Sequence, residues 1–145
     1  MEAAPPVQAS PTPQYTRYRA GFPDAFFARV YADGFIKAGA SLLDLGTGTG
    51  TLARGFALRG CHVTGIDPSA QMLEQAKELD QQAGVDVEYR IAKAEATGLP
   101  DASFDIVTAG QCWHWFDRPK AANEVKRILK PGGTIIIAHF DWLPL

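Results

Sequence analysis

From residue 41 onward, short apolar runs alternate with stretches of helical period. SLLDL (41–45), CHVTGID (61–67), VDVEYRI (85–91), SFDIVTAG (103–110) and TIIIAHF (134–140) read as five strands. TLARGFALRG after Gly50, PSAQMLEQAKELDQQ (68–82) and RPKAANEVKRILK (118–130) read as helices between them. An earlier helical stretch opens at Asp24 as N-cap. It carries Phe26, Phe27, Val30, Tyr31 and Phe35 on one apolar face and ends by Gly39. Alternation of this kind predicts an α/β, doubly wound, Rossmann-like parallel sheet with right-handed crossovers, strand order 3-2-1-4-5 and helices on both faces.

Local signals agree with that frame. Pro68-Ser69 opens one helix and Gly84 ends it, while Asp117 is placed to cap the next, with Pro119 in its first turn and basic residues at its far end. Lys130-Pro131-Gly132-Gly133 turns the chain into the last strand. Residues 1–14, with four prolines and almost no large apolar side chains, predict a disordered lead ahead of a single domain over 15–145.

Composition narrows the function without choosing one. The chain has 145 residues, 46% hydrophobic and 21% charged, with a net charge of −2, and so offers no basic surface for nucleic acid or anionic membrane. Its longest apolar runs are too short to span a bilayer and no leader pattern opens the chain, so a cytoplasmic protein is expected. Cys61 and Cys112 read as unpaired thiols, and no metal-ligand spacing is present.

The chemistry gathers at SLLDLGTGTG (41–50), where an apolar strand runs into a turn with Gly46, Gly48 and Gly50 and then into a helix. Glycines let the backbone bend sharply and approach a ligand, and the helix start adds free N–H groups and the positive end of a dipole. A purely structural turn, or a dinucleotide loop of GxGxxA form (48–53), reads from the same glycines. Asp44 tilts the balance: a carboxylate there would repel a pyrophosphate and suits a cationic ligand. Asp67, ending the second strand, stands where an acid grips ribose hydroxyls in βαβ nucleotide folds, or else is a helix N-terminal acid favoured by the dipole. Gln111-Cys112-Trp113-His114-Trp115-Phe116-Asp117, following the fourth strand, borders the crevice at the strands' carboxyl ends.

D-x-G-x-G-x-G at 44–50 resembles the first motif of class I S-adenosylmethionine (SAM)-dependent methyltransferases. EATGLP (95–100) followed by SFD, HWFD (114–117) and LKPGG (129–133) are similar, in order and spacing, to segments of the type-11, ubiquinone/menaquinone and trans-aconitate methyltransferases. Here Glu95 stands for the family's usual Asp and Ala94 for its Gly. The resemblance implies that SAM is the cofactor, held by Asp44, Gly46, Thr47, Gly48, Gly50, Asp67, Met72, Glu95, Ala96 and Gln111. Met72 would lie near the adenosine, Glu95 and Ala96 would meet the adenine, and Gln111 would meet the methionine part.

It further implies methyl transfer to a small-molecule acceptor, with His114 as general base, since an imidazole titrates near neutrality. His139 is a second candidate on the same side. An aromatic cluster packing the sheet edge, with His114 satisfied by backbone, is the alternative for that segment. The Tyr/Arg-rich YTRYRAGFP (15–23) resembles a family segment lying over the ligand, or is an arm packed by its aromatics. Family domains continue past the fifth strand with a helix and two more strands, whereas this chain ends at DWLPL. The fifth strand is therefore expected as an apolar edge open to self-association. A truncated, non-catalytic SAM-binding or interaction module is the alternative to an enzyme. Neither nucleic acid, membrane nor metal is expected as a partner.

Overall fold

The computed structural model describes residues 22–110 and 112–139. The elements are α1 (Asp24–Ala32), β1 (Ser41–Leu45), α2 (Thr51–Leu58), β2 (His62–Asp67), α3 (Ala70–Ala83), β3 (Glu88–Ile91), β4 (Phe104–Gly110), α4 (Arg118–Ile128) and β5 (Leu129–Ala138). A single 3-10 turn at Trp113–Trp115 lies between β4 and α4. The strands form one parallel sheet in the order β3-β2-β1-β4-β5, as the alternation predicts.

Strand periodicity divides the core in two. Leu42, Val63 and Ile106 face one side with Phe27 and Val30 of α1 and Leu52, Ala53 and Phe56 of α2. Leu43, Leu45, Ile66, Val107 and Ala109 face the other with Ala121, Val125 and Ile128 of α4. Successive side chains of a strand point to opposite faces, so a β1 buried on both sides must be apolar throughout. Asp44 is the exception, 2% exposed at the centre of the sheet. A buried carboxylate in an otherwise apolar strand points to function.

Four local expectations are corrected. Asp24 is the first helical residue rather than the cap: Pro23 holds the cap position with no side-chain bond, and the Asp24 carboxylate pairs with Arg59 at 3.1 Å. Phe35 falls beyond α1 and is half-exposed. The 129–133 segment is not a turn ahead of β5 but part of it. Leu129 pairs with Phe104, the ladder then breaks, and it resumes at Thr134 opposite Ile106. Pro131 has no N–H to give a ladder and Gly132 takes φ +81°, so the strand bulges there. β3 is shorter than its alternation suggests, beginning at Glu88.

The α1–α2 contact is tight. Phe27 and Phe56 meet edge-on with centroids 4.9 Å apart, and a Cβ on Gly55 would press into the Phe27 ring, 2.8 Å from Cε1. Gly55→Ala gains about 1 kcal/mol of helix propensity. It loses about 1–3 kcal/mol to overpacking. A lower thermal midpoint is expected, recovered by adding Phe27→Leu; an unchanged midpoint in the single variant would show that α1 slides freely.

Candidate functional site

All the strands run parallel, so their carboxyl ends share one rim, and β1, β2 and β4 bring their last residues together there. From β1 the chain enters Gly46-Thr47-Gly48-Thr49-Gly50, with φ of +58° at Gly46, +57° at Gly48 and +81° at Gly50. L side chains adopt that left-handed region only with strain, which is why three glycines alternate here. Two acids hold this loop. The Asp44 carboxylate accepts from the Thr47 hydroxyl at 2.7 Å through one oxygen and from the Thr108 hydroxyl at 2.7 Å through the other. Asp67 accepts from the Gly48 N–H at 3.0 Å and from the Ser69 N–H at 2.9 Å. Thr47 also donates its N–H to the Ile66 carbonyl at 2.8 Å.

Asp44 therefore lies beneath the loop, and its charge reaches a ligand as a field rather than as a free oxygen. Burial raises its pKa to about 6 against the bonds from Thr47 and Thr108, and the nearby Asp67 raises it further. Two carboxylates bonded to one glycine loop make a local charge that a cation relieves and an added anion aggravates. The donor set thus fits the ammonium and sulfonium of SAM and opposes a diphosphate.

Cys112 completes the wall. Its thiol donates to the Leu45 carbonyl at 3.2 Å, and a Cβ on Gly46 would come within 2.9 Å of its sulfur. Burial pushes the thiol up to about 12, with repulsion from Asp44 and Asp67 adding to it. It is a protonated wall, not a nucleophile. Met72 sits in the first turn of α3, where its N–H bonds the Ser69 hydroxyl at 3.2 Å. The loop after β3 is fastened to α4: Glu95 accepts from the Asp117 N–H at 2.8 Å, and Thr97 bonds Glu124 through both its N–H (2.8 Å) and its hydroxyl (2.6 Å). Arg127, 2.7 Å from Glu124, holds that carboxyl down to about 2. Ala96 is fixed by its own N–H on the Lys93 carbonyl at 3.1 Å.

His114 lies in the 3-10 turn, its ring 4.8 Å from that of Trp115 and 6.2 Å from that of His139. Trp115 is 78% exposed, which leaves a bare indole beside the His114 imidazole. Gln111 lies outside the described residues, as do residues 1–21 with most of the Tyr/Arg-rich segment. Among the described residues no group of three His, Cys, Asp or Glu is placed to hold a metal, and no helix is long and apolar enough to cross a membrane. Thr108 and Cys112 are the site residues that motif reading misses. Thr108 stands directly opposite Asp44 in the β1–β4 register, so strand pairing is the signal that finds it.

Residues 43–137, well over half of the chain, match the methyltransferase domain family. The chain belongs to that family. Among its relatives, the demethylmenaquinone methyltransferase of Thermus thermophilus is 38% identical over 107 residues, 72% of this chain and 49% of that protein. A solved methyltransferase, the Haemonchus contortus phosphoethanolamine N-methyltransferase 2 with phosphomonomethylethanolamine and S-adenosylhomocysteine, superposes with a TM-score of 0.69 at 32% identity, over 79% of this chain and 27% of that one. The [4+2]-cyclase SpnF superposes with a TM-score of 0.70 at 30% identity, over 78% of this chain and 43% of that one. The chain spans between 37% and 49% of the length of the curated methyltransferases and related proteins it matches.

Proposed function

We propose that this chain binds SAM at the glycine loop and transfers its methyl group to a small-molecule acceptor. The observation that carries the reading is the buried Asp44 beneath the loop with Asp67 beside it, an electrostatic setting for a cation rather than a phosphate. Gly46, Thr47, Gly48 and Gly50 would hold the amino-acid half of the ligand, and Asp67 the ribose. Each Asp67 oxygen has a lone pair left after its one amide bond. Met72, Glu95 and Ala96 would surround the adenine. Glu95 would do so with the lone pairs its bond to Asp117 leaves open. Gln111 would meet the methionine part, as the family resemblance implies.

The chemistry SAM supplies is a methyl carbon displaced in line from a sulfonium, the sulfur keeping the bonding pair as a neutral thioether. The chain's part is to hold that carbon and the acceptor atom in near-attack geometry. His114, at the rim, takes the acceptor's proton when there is one to lose. Trp115 and the neighbouring ring of His139 would flank the acceptor, which favours a small molecule with an apolar or planar body.

A second reading rests on the β5 edge, where Ile137 is 48% exposed and no strand pairs outside β5 among the described residues. Under it the chain binds SAM but works as an interaction module, including self-association along that edge. Calorimetric titration with SAM, S-adenosylhomocysteine and NADH, followed by turnover over a panel of phenolic, carboxylate and amine acceptors, separates these. SAM and S-adenosylhomocysteine should bind and NADH should not. Saturable binding without product over the panel would favour the module, and NADH binding in place of SAM would overturn the cofactor.

A further inference from the structure

The second half of the glycine loop is held by a largely buried group that none of the site motifs contains. Arg54 of α2 sends both terminal guanidinium nitrogens to the Thr49 carbonyl, at 2.6 Å and 3.3 Å. Behind it, Nε lies 3.1 Å from Asp80 Oδ1 on α3, an ion pair whose N–H is not aimed at the oxygen. The other Asp80 oxygen accepts from the Tyr89 hydroxyl of β3 at 2.6 Å. Three elements thus converge on one loop carbonyl. The Arg54 side chain is 12% exposed and that of Asp80 5%.

A buried ion pair is a poor stabiliser by itself, because desolvation consumes most of the Coulombic gain. Its orientation shows what else it does. The guanidinium gives up a straight bond to Asp80 and keeps its shortest contact for Thr49. The peptide joining Thr49 to Gly50 is then fixed at both ends, because the Gly50 N–H donates to the Thr47 carbonyl at 2.8 Å. Gly48 and Gly50, on either side of Thr49, are at positive φ and of the residue type that loses most conformational freedom on ordering. A clamp at this peptide lowers the ordering cost that a ligand would otherwise meet.

We propose that Arg54, steered by Asp80 and Tyr89, is a positioning residue that presets the glycine loop for the amino-acid half of SAM. This rests on the SAM reading above, and one arm of its test does not. Arg54→Lys keeps the charge opposite Asp80 but cannot fork onto Thr49 while doing so. In the ligand-free variant, amide hydrogen exchange at Gly50 should quicken about ten-fold, while β1 amides keep their rates. S-adenosylhomocysteine should bind about ten-fold more weakly, whereas 5′-methylthioadenosine, which lacks the amino-acid part, should bind as before. Tyr89→Phe, which removes only the hydroxyl on Asp80, should move exchange and affinity the same way by about three-fold, and serves if the lysine variant does not fold. Unchanged Gly50 exchange in these variants would overturn the clamp. Equal weakening of both nucleosides would overturn it too, since general loosening does not discriminate between them. A wild-type chain that binds neither nucleoside would instead remove the SAM reading and leave the exchange result to judge the clamp.

Discussion

Asp44→Asn should make the ligand-free protein more stable at pH 8 and, in the same variant, weaken SAM binding by ten- to a hundred-fold. The two effects share one cause. Burial lifts the Asp44 pKa from 3.8 to about 6. The folded state therefore holds a proton that the unfolded chain has released between those values. The stability this provides is complete below pH 3.8, declines as pH rises through about 6, and is absent above it. At pH 7 and beyond the ionised carboxylate costs on the order of 2–3 kcal/mol relative to a neutral group. Asparagine can keep a partner on each side, because the Thr47 and Thr108 hydroxyls can each donate or accept. The gain in thermal midpoint over wild type should accordingly be near zero at pH 4 and grow to a plateau above pH 7. Binding runs the opposite way: a cation over the loop favours the ionised form, so wild-type affinity for SAM should rise from pH 5 to pH 7 while that of the variant stays flat. Parallel pH series of melting and titration check both. A variant that binds SAM like wild type at pH 8 would show that the charge beneath the loop has no part in recognition.

The elements that read cleanly from the sequence are those whose information is local. The apolar runs, the helix starts at Pro68-Ser69 and Asp117 and the glycine spacing each lie within a few residues, and each marks its element, although β3 begins later and β5 earlier than their runs. Asp44 was legible as an anomaly, a carboxylate in a run of leucines. Its bonding was not. The sequence suggests an acid presented to the ligand, whereas the fold turns both its oxygens onto threonine hydroxyls, one of them 64 residues away. Asp24 shows a similar limit at shorter range. Its type suits a cap, but Pro23 fixes the turn ahead of the helix and leaves Asp24 to Arg59.

What stayed hidden is long-range and polar. Arg54 and Asp80 look like ordinary polar positions of two amphipathic helices and Tyr89 like one of a strand's alternating apolar residues, and nothing in their neighbourhoods in sequence marks them as partners. Only the crossover geometry, which sets α2 over β1 and β2 and α3 over β2 and β3, brings the three together. Glu95 is intermediate between these cases. Its motif places it near the crevice, and the fold adds a bond to the Asp117 N–H that no pattern of spacing reveals. The consequence is that the proposed adenine contact and the start of α4 would be joined through one side chain.

Gly48→Val should abolish measurable SAM binding, a loss of at least a hundred-fold, and leave a folded domain. At φ +57° a side chain is strained whatever surrounds it, and a β-branched one most of all. The strain is on the order of 1–2 kcal/mol for an L residue in the left-handed region, within the margin of an ordinary domain. Among the described residues, no atom outside its chain neighbours lies within 4 Å of the Cβ position, so the new side chain clashes with none of them. In the proposed site it would take up the space that the ligand needs at the glycine loop. Strain and obstruction can be told apart with Gly84, which ends α3 at φ +73° and also has nothing within 4 Å. Gly84→Val carries the same backbone penalty far from the loop and should melt earlier than wild type by a similar margin while binding SAM normally. If both variants lose affinity in proportion to their melting temperatures, the loop's bare backbone matters for folding alone. If Gly48→Val alone binds SAM undiminished, the ligand does not lie on the glycine loop at all.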